Sequence, residues 1–317
     1  MCWFAGITSQ KSYELEKMWA LLQARAIDAQ YFHYENGCSF YHAHLKISDL
    51  DKDTSQPYLY KDLVIGLVWE IYNKKYLLEK IKIFDDENNF TECQVIALCF
   101  EKLWEKFIDM VNGEFAIYIY DRAKNKHLLF RDRWGVNNVY YKVKNGVLYF
   151  ASEMKCLVSS DTQISQNDLI EHFVFQFGIS PHTIFDEIFT LRPGTYLQFS
   201  DNTGIQIYDF EKYIYIENDT MIWTLEQAVV RRIPHFQRQI FVSLSGGPDS
   251  NLILFFLKKH YAGEIIAYSF ATEKNAHDIE YAIKNAKFHG VKHCIIDMNE
   301  YIPKNEFFEH EWLVSLP

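Results

Sequence analysis

The chain has 317 residues, of which 49% are hydrophobic, 17% aromatic and 23% charged, a composition that packs a core and excludes disorder over most of its length. At that length two domains are expected, each able to bury its own interior. A net charge of −10, from 42 acidic against 32 basic residues, argues against nucleic-acid binding and for small-molecule chemistry, while the lack of a long apolar run argues against a membrane partner.

Up to about Phe210 the chain is a series of short alternating or apolar runs that predict strands. Examples are Cys2–Thr8, Ser39–Ile47, Leu63–Val68, Phe115–Tyr120, His127–Arg131 and Val147–Ala151. Turn signals at Glu35-Asn36-Gly37, Lys144-Asn145-Gly146 and Asn202-Thr203-Gly204 separate several of them. One helix is predicted over Thr91–Val111, because Val95, Leu98, Cys99, Leu103 and Phe107 recur at helical spacing. Many strands with few helices predict layered antiparallel sheets. A boundary follows in Tyr208–Trp223. Strand Ile240–Leu244, helix Ser250–His260, strand Ile265–Phe270, helix His277–His289 and strand Lys292–Asp297 then alternate, which predicts a parallel sheet with crossover connections. The six cysteines are scattered, with no CxxC pair and no metal-ligand spacing. No metal site and no disulfide framework are expected. With polar residues soon after Met1 excluding a signal peptide, a reducing cytoplasm is the expected location.

The strongest chemical signal is Phe241-Val242-Ser243-Leu244-Ser245-Gly246-Gly247-Pro248-Asp249-Ser250, an apolar strand that turns through two glycines into a helix. Glycines let the backbone approach an anion, and a helix start offers free N–H groups and a positive dipole end. Ser245 and Ser250 add hydroxyls, and Pro248 suits a first helical turn. The lysine and spacing of a Walker loop are missing. The hexamer resembles the SGGxDS loop of ATP pyrophosphatases, which split ATP between its α and β phosphates and activate a carboxylate as an adenylate. That resemblance implies ATP with Mg²⁺, contacts from Leu244, Ser245, Gly246, Gly247, Asp249 and Ser250, and Thr272 at the end of an adenine-facing strand. Asp278-Ile279-Glu280-Tyr281-Ala282, with Ala286, Gly290 and His293, continues it.

At the other end, Met1-Cys2 offers a second signal. Removing Met1 would give Cys2 a free α-amine able to act as base for its own thiol. Asn112-Gly113-Glu114-Phe115-Ala116 with Asp121, then Arg131-Asp132-Arg133-Trp134-Gly135, Tyr140-Tyr141, Phe150-Ala151-Ser152-Glu153-Met154-Lys155, Pro181-His182-Thr183-Ile184-Phe185 and Leu191-Arg192-Pro193-Gly194-Thr195 follow in order. Together they resemble the glutamine-dependent asparagine synthetase family over nearly the whole chain. The resemblance implies an N-terminal-nucleophile-type α+β domain of stacked antiparallel sheets (αββα) over residues 1–210. A partial α/β ATP-pyrophosphatase domain over 220–317 follows, and the expected function is an ATP-dependent amide-forming ligase.

The glutamine pocket implied by that family departs from its pattern. The arginine for the glutamine carboxylate, in His42-Ala43-His44-Leu45-Lys46-Ile47-Ser48-Asp49, reads His44. The Asn-Gly-Glu that stabilises the oxyanion and holds the substrate amine reads Val68-Trp69-Glu70, and the second amine-holding acid reads Glu92 in place of aspartate. Valine offers no side-chain donor, losing one oxyanion donor costs roughly 10²–10³-fold in rate, and histidine lacks arginine's permanent bidentate charge. Trp3 beside the nucleophile is also unusual. Glutamine is therefore expected to be a poor substrate, with a carboxylate of a small molecule or peptide as the ligase partner. The family's synthetase domain continues past the point matched by Pro317, so further polypeptide or a partner chain is expected to complete that site. Glu306, Glu309 and Glu311 read as a solvated face. Two alternatives stay open: a cyclase or ligase with a degenerate glutaminase domain, resembling β-lactam synthetases and lasso-peptide cyclases, or a non-catalytic relic or regulatory subunit.

Overall fold

A computed structural model of the protein describes residues 2–25, 28–45, 53–210, 220–234, 239–272 and 276–298. The chain divides into two units, Met1–Ile214 and Tyr215–Pro317. In chain order the first unit runs β1 (Trp3–Ile7), α1 (Ser12–Leu22), β2 (Ala29–Glu35), β3 (Cys38–His44), β4 (Tyr58–Tyr60), β5 (Leu63–Ile71), α2 (Lys74–Lys80), α3 (Glu92–Leu103), β6 (Gly113–Asp121), β7 (Lys126–Arg131), β8 (Tyr140–Lys144), β9 (Val147–Ala151), α4 (Gln166–Phe175), β10 (Phe189–Thr190), β11 (Thr195–Ser200) and β12 (Gly204–Asp209). Two antiparallel six-stranded sheets result, ordered β10-β8-β9-β1-β3-β2 and β12-β11-β7-β6-β5-β4.

Side-chain alternation decides how these sheets stack, because successive residues of a strand face opposite sides. Phe4, Cys38, Phe40 and Phe150 of the first sheet meet Val64, Val68, Ala116, Tyr118 and Leu129 of the second in one buried cluster. On the outer face of the second sheet, Ile65, Leu67, Phe115, Ile117 and Phe130 pack with Leu77 of α2 and Val95, Ile96 and Cys99 of α3. On the outer face of the first, Ala5, Ile7, Tyr41 and Ala43 pack with Leu15, Met18 and Leu22 of α1. The order is helix, sheet, sheet, helix, the αββα architecture that the family resemblance implied, with the layered antiparallel sheets expected from the strand pattern. Both faces of β3 and of most of β5 are buried, as a middle layer requires.

The helix predicted over Thr91–Val111 is corrected. Its start is as the sequence signals, with Thr91 and Gln94 forming a capping box that satisfies free N–H groups. At Trp104 the backbone turns to φ 54°, α3 ends, and a 3₁₀ segment Trp104–Met110 carries Phe107 and Ile108 into the same core. The sequence pattern did not pick out α1, α2 and α4. The run Ser39–Ile47 ends as a strand at His44, and residues 46–52 lie outside the described residues.

The second unit contains α5 (Met221–Val230), β13 (Gln239–Ser243), α6 (Pro248–His260), β14 (Glu264–Ala271), α7 (Ala276–His289) and β15 (Lys292–Asp297). The strands pair in parallel in the order β13-β14-β15. Leu254 and Leu257 of α6 and Ala282 and Ala286 of α7 bury one face of that sheet against Val242, Leu244, Ile265 and Ala267. Glu306, Glu309 and Glu311 lie outside the described residues. No helix among the described residues is long and apolar enough to cross a membrane.

His127, on β7, is 3% exposed, and its Nδ1 lies 2.9 Å from the Tyr118 hydroxyl. Burial pushes its pKa down to about 3, against a small opposing pull from Glu35, so the folded state holds it neutral. An unfolded histidine takes up its proton near pH 6.5, and stability therefore falls as pH drops from about 6.5 toward about 3. His42 is displaced in the same direction. The expected result is a urea midpoint that declines between pH 7 and pH 5, with a shallower decline in His127→Gln, which cannot charge. Equal slopes in the two proteins would show that His127 does not titrate on unfolding.

Candidate functional site

Cys2 lies immediately before β1, half-buried against the inter-sheet cluster together with Trp69. Phe4 and Gly6 follow it on the inward side of the strand, and both meet Phe150, whose ring would collide with any Cβ at Gly6. The Cys2 thiol is 3.4 Å from Nδ1 of His44 and donates to the Leu45 carbonyl at 3.7 Å. On its other side the His44 ring places Nε2 3.2 Å from the Thr54 hydroxyl. Burial raises the Cys2 pKa, outweighing the lowering by the Leu45 backbone. The thiol is therefore protonated at neutral pH, and only a thiolate attacks efficiently.

His42 precedes His44 by one full period of β3, so both rings face the cleft, 5.4 Å apart. It is wholly buried, and among the described residues neither of its ring nitrogens makes a well-formed hydrogen bond. Burial first, then the neighbouring His44, holds its pKa down to about 3 although the Leu67 backbone pulls it up. Ligand atoms of Cys2, His42 and His44 all lie within 4.8 Å of one another. His42 was not among the residues singled out from sequence. Spacing hides the trio because Cys2 is brought to β3 only by strand pairing, with Trp3 opposite Ala43 and Phe4 opposite His42.

The other glutamine-pocket positions are on or near β5. Val68 is buried in the inter-sheet cluster. Trp69 follows at φ 80°, a conformation that glycine adopts freely and a bulky residue adopts only under strain. The backbone bend is thus one suited to glycine, occupied by an indole that packs on the same buried cluster as Cys2. Glu70 sits half-buried opposite Glu114. Glu92, at the start of α3, is 3.2 Å from Lys74 Nζ, and both side chains are largely buried. An internal ammonium therefore already sits on the carboxylate expected to hold a substrate amine, a pairing that sequence spacing did not signal. Arg131 and Asp132 serve architecture. Asp132 accepts from the backbone N–H groups of Phe115, Trp134, Val136 and Asn137, and Arg131 donates to the carbonyls of Gly135, Asn137 and Leu191.

In the second unit, β13 ends at Ser243 and α6 begins at Pro248 with Gly247 as its cap. No side chain caps that helix, so its first N–H groups are open to a ligand. Ser245 Oγ and Ser250 Oγ are 3.2 Å apart, the Ser250 hydroxyl accepts from the Ser245 N–H at 3.3 Å, and it lies 3.2 Å from the Gly247 carbonyl. Gly246 has φ 80°, and a Cβ there would stand 2.3 Å from the Asp278 carbonyl of α7. Among the described residues a Cβ at Gly247 would meet only Ser245 Oγ, at 3.5 Å. Asp249 is exposed in the first turn and Thr272 is partly exposed after β14. Leu244 is wholly buried, its N–H bonded to Tyr268 and its carbonyl to the Ser269 hydroxyl. The loop lies at the carboxyl end of a parallel strand and the start of a helix.

Two family models match this chain, one described as a glutamine amidotransferase domain over residues 1–213 and one described as asparagine synthase over residues 223–312. Asparagine synthetase [glutamine-hydrolyzing] 1 of Bacillus subtilis (strain 168) is 24% identical, over 98% of this chain and 52% of its own length. The same organism's asparagine synthetase [glutamine-hydrolyzing] 2 is 34% identical over 50% of this chain and 22% of its own. A probable asparagine synthetase [glutamine-hydrolyzing] of Acanthamoeba polyphaga mimivirus is 27% identical over 74% of this chain and 44% of its own. The chain spans about half the length of the first of these relatives and less of the other two.

Proposed function

The chain belongs to the family of glutamine amidotransferase domains, which its residues 1–213 match, and from that premise we propose that it serves an asparagine-synthetase-type, ATP-dependent amide-forming ligase whose own glutaminase half is impaired. The observation that carries the ligase reading is the Ser245–Ser250 loop, with its uncapped helix start and, among the described residues, only Ser245 Oγ near a Cβ at Gly247. In this reading Ser245, Gly246, Gly247, Asp249 and Ser250 receive the phosphates of ATP, accompanied by Mg²⁺, and Thr272 lies toward the adenosine. Leu244 supports the loop from the core. ATP would supply the adenylate that activates a carboxylate of a small molecule or peptide. We place the carboxylate pocket on further polypeptide or on a partner chain. The free cysteines fit a reducing compartment such as the cytoplasm.

A second reading is favoured by the Lys74–Glu92 pair and by Trp69. It has the amine come from the substrate itself, as in degenerate-glutaminase cyclases. Calorimetric titration with ATP and Mg²⁺ tests the shared core of both readings. Binding is expected in the wild type and about tenfold weaker in Asp249→Ala, equivalent to ~1.4 kcal/mol. A wild type that takes up no nucleotide would favour a non-catalytic relic instead.

A further inference from the structure

We infer that Cys2, His42 and His44 form a binding site for a thiolate- and imidazole-preferring divalent metal ion, Zn²⁺ in the first instance, in the cleft between the two sheets. The inference goes beyond the ligase reading and does not depend on it, since the trio is in the first unit and the ATP loop in the second.

Three observations support it. The ligand atoms converge, all within 4.8 Å of one another, with Cys2 Sγ and His44 Nδ1 already 3.4 Å apart. A tetrahedral zinc ion with bonds of about 2.0–2.3 Å sets its sulfur and nitrogen ligands roughly 3.3–3.6 Å apart, so only a small inward movement is required. Next, His42 is wholly buried, and among the described residues its ring nitrogens make no well-formed hydrogen bond, only a loose interaction with the Leu67 backbone. Burying an imidazole so poorly satisfied is costly, and a cation between the three side chains reduces that cost. Finally, His44 has an outer partner. Its Nε2 lies 3.2 Å from Thr54 Oγ1, and with Nε2–H donating to that hydroxyl, Nδ1, the atom facing the thiol, would offer its lone pair to a metal. Metal-binding histidines are usually held through their second nitrogen in this way.

The donor set selects the ion class. One sulfur and two imidazoles suit zinc or copper, and with no carboxylate in the trio they discriminate against magnesium and calcium. On binding, the Cys2 S–H bond breaks, its proton goes to solvent and the sulfur lone pair forms the metal bond, with no change in oxidation state. Three protein ligands leave a fourth position for water or for the α-amine that loss of Met1 would free.

The test uses chelator-treated protein titrated with Co²⁺, whose thiolate-to-metal absorption band reports a cysteine ligand, followed by displacement with Zn²⁺. One equivalent is expected to saturate the band and to be displaced by Zn²⁺. The band should vanish in Cys2→Ser, and binding should weaken more than 100-fold in His44→Asn, with far-ultraviolet circular dichroism unchanged in both. Thr54→Val should weaken it by about tenfold, within the range for outer partners. Cys294→Ser, in the other unit, should bind as the wild type does. No stoichiometric band in the wild type, or a band that survives Cys2→Ser or His44→Asn, would overturn the assignment. Retained metal binding in a protein that fails to bind ATP would leave this site standing and sink the ligase reading alone.

Discussion

Purified protein given millimolar glutamine is expected to release glutamate no faster than its Cys2→Ala variant. Four features of the pocket lead to that expectation. Burial keeps the Cys2 thiol protonated. His44, against the sulfur at 3.4 Å, stands where the family resemblance implies a carboxylate-binding arginine. Val68 turns a methyl-bearing side chain into the core where an amide donor would face an oxyanion, and that loss alone is worth roughly 10²–10³-fold. Lys74 competes for Glu92 at 3.2 Å. A companion measurement separates the strained backbone from the chemistry. Trp69→Gly should relieve about 1–2 kcal/mol of left-handed strain, offset by the apolar contact the ring loses. Glutaminase activity should stay absent in that variant, because the other defects remain. Robust turnover in the wild type that disappears in Cys2→Ala would end this interpretation of the pocket.

Gly246→Ala and Gly247→Ala should behave very differently although the residues are adjacent. At Gly246 a methyl group meets the Asp278 carbonyl at 2.3 Å and the backbone of Ala282 at 3.1 Å, in a conformation with φ 80°. Neither obstacle is the end of a flexible side chain, so the loop or α7 must move. The left-handed conformation alone costs about 1–3 kcal/mol, and both thermal stability and nucleotide binding should fall. Gly247 has φ −73° and an ordinary 3.5 Å contact awaiting its methyl group. Its substitution should leave the melting temperature within about 2 °C of the wild type, since tolerated surface changes stay within roughly 0.5 kcal/mol. ATP affinity should nevertheless drop, because the methyl group occupies the space a phosphate needs. Unchanged ATP affinity in Gly247→Ala would show that no ligand approaches that backbone.

What was legible in the sequence was whatever a single strand or loop carries by itself. The β13–loop–α6 passage could be read because glycines, serines and an acid in one short run leave few other uses. The central strands were readable because β5 and β6, buried on both faces, are continuous apolar runs. Strands such as β2 and β12, half exposed at sheet edges, have too mixed a pattern to stand out. Trp104 was invisible as a helix breaker because only its backbone, at φ 54°, ends α3, and the apolar period runs on through Phe107. The Lys74–Glu92 pair and the approach of His42 to Cys2 depend on tertiary placement, which spacing along the chain does not encode.

The position of β1 has a consequence for the order in which this protein is made. Its strand lies in the interior of a sheet, between β3 and β9, and Ala5 pairs with Ala151. Its other neighbour β3 emerges early, but β9 is synthesised roughly 150 residues after β1, which at about 5–20 residues per second is about 7–30 s later. During that interval β1 is paired along one edge only, and the backbone groups of Ala5–Ile7 that later meet Tyr149–Ala151 have no strand beside them. The middle of the first sheet therefore closes only after most of this unit has been made.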